Sequence, residues 1–316
     1  MKRVIEMLEI FKTVNEELVR MDHFEDGVWV NLTNPTEEEI KRVCEGLNVD
    51  VEYIRAALDE EERARIESNN GQTLIIVDIP IDEKEGDNSI YVTIPLGIVV
   101  IKENIITVCL RENPIIKDFI NKKVKSFYTF FKNRFILQIL YKNAAYYLYY
   151  LRLIDKESTR IEYHLHKSMR NKELIELLDL QKTLVFFSTS LKANELVLEK
   201  MLRFDYIKKY PDDNDLLEDV IIENKQAIEM ASIYSNILSS TMDAFASIIS
   251  NNLNIVMKFL TSVTIVMAIP TTVASFFGMN VNLPFSNLGG AFYIILLISL
   301  ALSGISIYFL AKRKMF

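Results

Sequence analysis

The sequence predicts a mixed α/β domain at the amino end, long helices in the middle, and two membrane-spanning helices at the carboxyl end. Apolar and β-branched runs crowd the first 112 residues, no glycine occurs between Gly97 and Gly278, and no charged residue occurs between Lys258 and Lys312. We therefore divide the chain into a cytoplasmic α/β domain (1–112), a helical stalk and funnel region (113–250), a first span (251–277), an extracytoplasmic loop (278–290), a second span (291–311) and a basic cytoplasmic tail (312–316).

The amino-terminal region contains the patterns of both strands and helices. Thr36 followed by Glu39 predicts a helix that begins with a capping box, and a second helix is predicted over Val51–Glu61. Apolar, β-branched runs predict strands, and the residues Lys102, Glu103 and Asn104 between the last two runs suit a hairpin turn. These predicted strands cover residues 28–32, 73–81, 90–101 and 105–110.

The middle of the chain lacks helix breakers, which predicts unusually long helices. One helix is predicted over residues 127–170 and another over residues 172–204. A third begins after Pro211 and meets no further proline until Pro270. At 1.5 Å per residue such a helix is about 90 Å long, so the sequence predicts a stalk that continues directly into the first span.

Two apolar stretches, Phe259–Phe277 and Ala291–Ala311, are each long enough to cross a bilayer. Lys258 precedes the first stretch and Lys312 and Arg313 follow the second, whereas the loop between them has no Lys or Arg. By the positive-inside rule this asymmetry predicts a multi-pass protein of the cell membrane with both termini in the cytoplasm.

The charge distribution narrows the possible partners. All 43 acidic residues and 32 of the 36 Lys and Arg precede position 250, which gives that part a net charge of −11. So acidic a surface repels nucleic acid and suits a cation. The chain has no phosphate-binding G-x-x-x-x-G-K-[ST], no G-x-G-x-x-G and no G-x-S-x-G. The sequence therefore predicts that the protein is not an enzyme and needs no organic cofactor.

Small or polar residues recur at alternating three- and four-residue steps along the third helix. This spacing of 3.5 residues is typical of a surface that meets copies of itself around an axis. Such a surface lines a water-filled pore in a homo-oligomer or, alternatively, is a small-residue packing face of the kind common in membranes. The apolar second span would lie outermost, against lipid. We call these residues the polar stripe: Asn236, Ser240, Asp243, Ser247, Ser250, Asn254, Met257, Thr261, Thr264, Ala268, Thr271, Ser275 and Gly278.

The loop begins with the triplet Gly278-Met279-Asn280, directly after an aromatic pair and between the two predicted spans. In this position the triplet resembles the signature of the CorA family of magnesium channels. The segment Asn254–Lys258 and the proline within the span, Pro270, extend the likeness. The resemblance implies a funnel-shaped homopentamer in the lipid bilayer that passes Mg²⁺ inward. Unlike many members, this chain has no acidic residue in the segment 282–285 that follows.

The resemblance also implies roles for particular residues. A ring of Asn280 amides would select hydrated Mg²⁺, with Gly278 allowing the backbone to turn toward the axis and Met279 bracing the loop. Met257 and Leu260 would form an apolar constriction; Leu260 lies one residue off the polar stripe and is included because of the family likeness. The remaining expected pore residues are Asn254 at the inner mouth, Thr261, Thr264, Ala268, Thr271 and Ser275 along the path, and Asp243 at the pore entrance.

Acidic clusters suggest how the pore could close. Asp219 and Glu223, four residues apart, share one helix face, and Asp59 and Glu60 belong to an acidic run in the α/β domain. In the family, cytoplasmic Mg²⁺ bridges carboxylates of neighbouring subunits and holds the funnel closed. Asp219 aligns with such a ligand, whereas the partner position aligns near Ala56, and Asp59 or Glu60 could substitute for it.

Two other functions remain open from the sequence. The same scaffold could carry Co²⁺, Ni²⁺ or Zn²⁺, although the polar stripe and the loop contain no His or Cys, the ligands that softer ions prefer. Alternatively, the spans could only anchor a divalent-cation sensor or scaffold. An anchor would require neither a polar stripe nor the Gly-Met-Asn triplet.

Overall fold

The computed structural model describes residues 7–85, 88–168, 171–203, 211–279, 290–313 and 315. The chain forms two units, residues 1–239 and 240–316. The elements, in chain order, are β1 Leu8–Val14, β2 Glu17–Met21, β3 Trp29–Thr33, α1 Glu37–Leu47, α2 Val51–Ala56, β4 Arg65–Asn69, β5 Gln72–Glu85, β6 Asn88–Ile101, β7 Asn104–Cys109, α3 Pro114–Ile120, α4 Lys132–Ser168, α5 Asn171–Arg203, α6 Pro211–Phe277 and α7 Ala291–Lys312.

A seven-stranded mixed sheet organises the first unit, in the order β2-β1-β3-β7-β6-β5-β4. Strands β3 and β7 run parallel, and the other described pairs are antiparallel. The predicted hairpin between β6 and β7 is present, with Lys102 in the left-handed region at φ 39°. The predicted capping box of α1 is also confirmed, since Thr36 Oγ1 accepts from the Glu39 N–H and the Glu39 carboxylate accepts from the Thr36 N–H.

Side-chain alternation along the strands produces two apolar cores, one on each face of the sheet. Val30 and Leu32 point into the core beneath α1 and α2. Trp29 points into the opposite core, which contains residues of α3, α4, α5 and the first part of α6. Helices α1 and α3, which follow the two parallel strands, therefore lie on opposite faces of the sheet.

Carboxamides attach the long helices to the sheet. The backbone carbonyl oxygen of Asp78, on β5, accepts hydrogen bonds from Asn143 Nδ2 on α4 at 2.9 Å and from Asn194 Nδ2 on α5 at 2.8 Å. Asn194 Oδ1 also accepts from the Asp78 N–H at 2.9 Å. These buried hydrogen bonds fix the position of both helices along the sheet. If either helix shifted along its axis, buried polar groups would lose their partners.

A buried carboxylate joins α3 to α4. Asp118 is 6% exposed, and its carboxylate accepts from Lys142 Nζ at 3.1 Å, Tyr146 Oη at 2.9 Å and Lys123 Nζ at 3.1 Å. Burial alone would raise the pKa of Asp118, but these hydrogen bonds outweigh it and hold the pKa below its usual value of 3.8. The ionised carboxylate is therefore favoured in the folded chain.

We expect Asp118→Asn to destabilise the first unit at neutral pH and to reduce its sensitivity to acid. A depressed folded-state pKa contributes stability that is present above the unfolded value of 3.8 and is lost as the pH falls through the folded-state value. The loss at pH 7 should be roughly 2 kcal/mol, because the lysine ammonium groups lie partly in solvent. The difference in stability between the two proteins should therefore be largest at neutral pH and should shrink as the pH falls below 3.8. The control is Asp179→Asn, because Asp179 is exposed and forms only a surface ion pair with Lys182. A difference in stability that does not shrink in acid would contradict the assignment.

Two predicted boundaries were wrong. Helix α2 ends at Ala56 rather than at Glu61: the chain turns there, and the Asp59 carboxylate accepts from the Glu61 N–H at 3.0 Å. Helix α4 begins at Lys132 rather than at Phe127. Phe127 instead packs against Trp29, with ring centroids 5.8 Å apart, so tertiary packing overrides the local helical pattern. Strands β1, β2 and β4 and helix α3 were not predicted.

The long helices follow the sequence prediction closely in other respects. Helix α5 covers Asn171–Arg203, and α6 covers Pro211–Phe277 without a break at Pro270. Parts of α6 and α7 are long and apolar enough to cross a membrane, with mean hydropathies of 1.7 and 2.4 over their most apolar windows. Only 6% of each window is buried, unlike a core helix of a soluble protein. The prediction of two carboxyl-terminal apolar helices is confirmed.

Candidate functional site

The polar stripe occupies an uncovered face of α6. All thirteen of its residues are exposed in the chain, from Asn236 to Gly278. Between Phe259 and Ser275, the residues of α6 that are not exposed are Ser262, Val266, Ile269 and Val273. At 100° per residue these residues lie about 150° around the helix from the stripe residues of the same segment, Thr261 to Ser275. The stripe therefore faces away from the covered side.

Helix α7 carries its buried serines on one side. Ser299 and Ser303 are each 8% exposed, whereas the large apolar residues of α7 such as Phe292 and Leu297 are about as exposed as on an isolated helix, at 71% and 70%. Near the other end, Ser262 Oγ of α6 donates to the Met315 carbonyl at 3.0 Å. The two helices thus bury small polar residues and leave an apolar outer surface, as a lipid-facing helix requires.

The threonine hydroxyls of α6 donate to the helix backbone. Thr264 Oγ1 donates to the Leu260 carbonyl at 2.8 Å and Thr271 Oγ1 to the Met267 carbonyl at 3.1 Å. Each hydroxyl thereby uses its only hydrogen within the helix and leaves lone pairs on the outer side. The exposed side of these threonines is consequently rich in acceptors.

An open groove of about 720 Å³ follows this part of the stripe. Thr264, Ala268, Thr271 and Ser275 of the stripe line it, together with Met267 and Met279. Both the apolar and the hydroxyl-bearing residues of the groove come from α6 and the residues directly after it. A single chain therefore contributes one wall of a cavity and does not enclose it.

The start of the predicted filter is described, but its central residue is not. Gly278 N–H donates to the Ala274 carbonyl at 2.9 Å. A Cβ at Gly278 would lie 3.3 Å from the same oxygen, and its φ is not in the left-handed region, so close approach rather than a special turn favours glycine here. Met279 is 53% exposed and lines the groove. Asn280 lies outside the described residues.

The other expected pore residues are all exposed within the second unit. Met257 and Leu260, the expected constriction, are 52% and 57% exposed, and Asp243 and Asn254 are exposed as well. Large apolar side chains such as Met257 and Leu260 are seldom left exposed together on a soluble monomer. Lipid or a neighbouring chain could cover them.

The expected regulatory carboxylates differ in their exposure and in whether they already bind another group of the chain. Asp219 is exposed and Glu223 is partly buried on α6. Glu60 is paired with Arg111, whose Nη2 lies 2.6 Å from Glu60 Oε1, while Arg111 Nη1 lies 2.6 Å from Glu83 Oε1. Asp59 stabilises the turn after α2. Across the described ranges no group of three or more His, Cys, Asp or Glu side chains converges as a metal site within one chain.

Sequence reasoning missed the part of Arg111 in this arrangement. The residue follows β7 and reaches carboxylates 51 and 28 positions away in sequence. No local pattern reports such a contact, because Glu60 follows α2, Glu83 lies on β5 and Arg111 follows β7, and only the fold of the domain brings them together. Arg111 restrains Glu60 and raises the cost of using that carboxylate to bind a metal ion.

Comparison with known proteins agrees with this architecture. The chain is 27% identical over 292 residues to the cobalt/magnesium transport protein CorA of Methanocaldococcus jannaschii, with 90% of each protein covered. The complete structure of the CorA magnesium transporter from that organism superposes with a TM-score of 0.83 at 24% identity, covering 96% of both chains. The full-length CmaX protein has the same fold, with a TM-score of 0.71 at 13% identity and coverage of 98% and 97%.

Residues 24–313 match the family described as CorA-like Mg²⁺ transporter protein. The match covers strands β3 to β7, the long helices and both apolar helices, so it does not rest on the Gly-Met-Asn triplet alone. The chain therefore belongs to the CorA-like Mg²⁺ transporter family, a family of membrane transporters and not of enzymes.

Proposed function

We propose that this chain forms a homo-oligomeric channel of the cell membrane, a pentamer by resemblance, that admits Mg²⁺ down its electrochemical gradient. The observation that carries the proposal is the polar stripe, which stays exposed on the side of α6 remote from its covered face. If copies of α6 surround an axis, the stripes of all copies face one another across a central bore. The apolar surface of α7 then faces lipid.

The chemistry of the stripe suits a hydrated cation. Mg²⁺ gives up its water shell reluctantly. A pore that passes the ion quickly must therefore contact the outward-facing hydrogens of the shell rather than the ion itself. Thr264 and Thr271 have donated their own hydrogens to the helix backbone and offer lone pairs. Hydroxyl acceptors around the bore can therefore replace bulk water around the ion without stripping its shell.

The remaining roles follow the family resemblance. Asn280 amides and the adjoining Gly278 and Met279 would form the outer filter, while Met257 and Leu260 would close the bore by excluding water. Asn254 and Asp243 would line the cytoplasmic mouth. With both termini in the cytoplasm, the membrane potential favours entry by about 2.3 kcal/mol per charge per 100 mV, and by twice that for a divalent ion.

Transport of Co²⁺ is a second candidate activity, because the curated relative is a cobalt/magnesium transport protein. The described part of the stripe contains no His or Cys, which favours ions that pass with their water shell over ions held by softer ligands. We therefore expect Co²⁺ and Ni²⁺ to accompany Mg²⁺ only as hydrated ions. Zn²⁺ is the least favoured cargo.

Flux into liposomes containing the purified protein tests the proposal. We expect Mg²⁺ influx that depends on the protein and is driven by an inside-negative potential. Thr271→Val keeps the size of the side chain and removes the acceptor oxygen, so influx should fall about tenfold. Ser306→Ala is the control, because it also removes a hydroxyl group but lies on α7, outside the polar stripe and the residues that line the groove. Absence of flux through correctly assembled wild-type protein would leave a membrane-anchored sensor as the better explanation.

We further propose that cytoplasmic Mg²⁺ closes the channel by bridging carboxylates of adjacent subunits. Asp219 and Glu223 would supply one side, and Asp59 or Glu60 the other. The exposure of Asp219 and Asp59 supports their availability to a neighbouring chain. Of Asp59 and Glu60, Asp59 is the better candidate ligand, because Glu60 would first have to break its ion pair with Arg111.

Neutralising the proposed sensor should weaken the effect of Mg²⁺ on protease resistance. Millimolar Mg²⁺ is expected to slow tryptic cleavage of the cytoplasmic part of the wild-type protein, because subunits tied by the ion open less often. Asp219→Asn should remove most of that protection without changing the digestion rate in chelator. Asp215→Asn, an exposed acidic change one turn earlier on the same helix, controls for general loss of charge. Full protection of the Asp219→Asn protein would exclude this residue from the sensor.

A further inference from the structure

A cleft of about 360 Å³ lies in the α/β domain, away from the polar stripe and lined entirely by residues of the first unit. It opens at the carboxyl ends of β3 and β7, the parallel pair of the sheet. The chain leaves β3 toward α1 on one face and leaves β7 toward α3 on the other. Adjacent parallel strands whose following helices diverge in this way form a topological switch point, where α/β folds bind their ligands.

The floor of the cleft is polar although the core around it is apolar. Asn31 is 3% exposed; its Oδ1 accepts from Thr107 Oγ1 at 3.0 Å and its Nδ2 approaches Glu9 Oε2 at 3.4 Å. Thr107 Oγ1 in turn accepts from Trp29 Nε1 at 2.8 Å. This chain of hydrogen bonds runs from the buried indole to a carboxylate at the cleft. Placing such groups inside a domain is costly and is not needed to pack the sheet.

The charges at the cleft are already paired. Arg111 is held by Glu60 and Glu83, and the ammonium group of Lys117 contacts the carboxylate of Glu112. Both cations among the described lining residues are therefore committed to protein carboxylates. A phosphate or carboxylate ligand would have to displace one of them, so the cleft favours a ligand without net charge.

The lining combines an apolar wall with hydrogen-bonding edges. Leu110, Ile116 and Ile120 form part of the wall. Asn34, at the end of β3, is exposed in the left-handed region at φ 49°, and within the described chain its carboxamide has no hydrogen-bond partner. An apolar slot accepts the face of a planar ring, and a free carboxamide can pair in bidentate fashion with the N6 and N7 atoms of adenine. The carboxylates of Glu9 and Glu112 already have protein partners, but each retains further lone pairs that can accept from sugar hydroxyls.

We propose that this cleft binds an adenine nucleoside, either free or as the nucleoside part of a nucleotide, and that it is a second ligand site independent of the ion pathway. Asn34 reads the adenine edge, the apolar wall holds the ring, and the carboxylates receive ribose hydroxyls. Arg111 joins this cleft to the Glu60 carboxylate, so an occupied cleft lies one side chain from the acidic turn after α2.

Binding of adenosine to the purified full-length protein in detergent, measured by isothermal titration calorimetry, tests the proposal. We expect one saturable site per chain and weaker binding of inosine, which lacks the N6 donor. Ile120→Trp fills the cleft and should weaken adenosine binding at least tenfold. Asn34→Gly keeps the left-handed backbone conformation and should remove the preference for adenosine over inosine. Val51→Trp, an equally large change at an exposed position of α2, should bind as the wild type does.

Titrations with AMP and ATP distinguish a site for free adenosine from a site for a nucleotide. AMP and ATP should bind no more tightly than adenosine, since the cations of the cleft are committed. ATP binding more than tenfold tighter than adenosine would overturn the assignment of an uncharged ligand. No saturable binding of any of the three, or unaltered binding by Ile120→Trp, would overturn the site itself. The binding measurement does not depend on transport. In the absence of nucleoside, Mg²⁺ flux through the Asn34→Gly protein should equal that of the wild type. Failure of this proposal is therefore distinct from failure of the channel proposal.

Discussion

Replacing Asn280 with alanine is expected to abolish Mg²⁺ uptake while leaving the oligomer intact. In the proposed channel the Asn280 carboxamides are the groups that meet the hydrated ion first, and this chain has no acidic residue in the segment 281–290 to attract it by charge. A methyl group cannot accept a hydrogen bond from the water shell, so the ring loses its affinity for the ion. We expect influx to fall by at least a hundredfold.

The measurement compares influx with assembly in the same preparation. Mg²⁺-dependent fluorescence in liposomes gives the flux, and size-exclusion chromatography with light scattering gives the number of subunits. Asn287→Ala, in the same loop and outside the triplet, should transport at close to the wild-type rate. Normal influx by a correctly assembled Asn280→Ala protein would show that selection of the ion lies elsewhere along α6.

Replacing Trp29 with alanine should cause the largest loss of stability in the α/β domain. Trp29 is fully buried, and its ring lies 5.1 Å from Phe135 and 5.0 Å from Phe11, centroid to centroid. Its indole N–H also donates to Thr107. Removing the ring leaves a cavity and an unpaired hydroxyl network, which together cost about 3–5 kcal/mol.

Thermal unfolding of the detergent-solubilised protein measures this effect as a decrease in Tm of roughly 10 °C. Trp29→Phe keeps most of the apolar contact and loses the hydrogen bond, so it should show a smaller decrease. Tyr149→Ala, at a side chain that is 52% exposed, should change the Tm little. Equal losses for Trp29→Ala and Tyr149→Ala would mean that the aromatic cluster does not hold this domain together.

Local sequence patterns predicted the elements whose stabilising groups are close in sequence. The capping box at Thr36 and Glu39 and the turn at Lys102 involve residues no more than three positions apart, and both are present. Helices α5 and α6 were predicted to within a few residues because α5 contains no glycine or proline and α6 contains no glycine. Strands β1 and β2 were missed because charged residues such as Glu9, Lys12 and Arg20 interrupt the apolar pattern.

Prediction failed where distant residues decide the local conformation. The helical pattern at Phe127 is overridden by ring contacts with Trp29 and Phe119, residues that the sheet and α3 bring near. Similarly, Gly97 on β6 leaves room for Ala57, whose Cβ would lie 2.4 Å from a Cβ at that position. No window of neighbouring residues contains that information.

The sequence by itself determined the order of the regions, the two apolar spans, the family resemblance and the polar stripe, because hydropathy, charge and helical period are properties of neighbouring residues. Only the tertiary structure decided that the stripe lies on the uncovered side of α6, that Arg111 engages Glu60, and that β3 and β7 diverge at a cleft. Each of these depends on strand pairing or helix packing between segments far apart in the chain. Such contacts form only when burial of apolar surface outweighs the entropy lost in bringing those segments together.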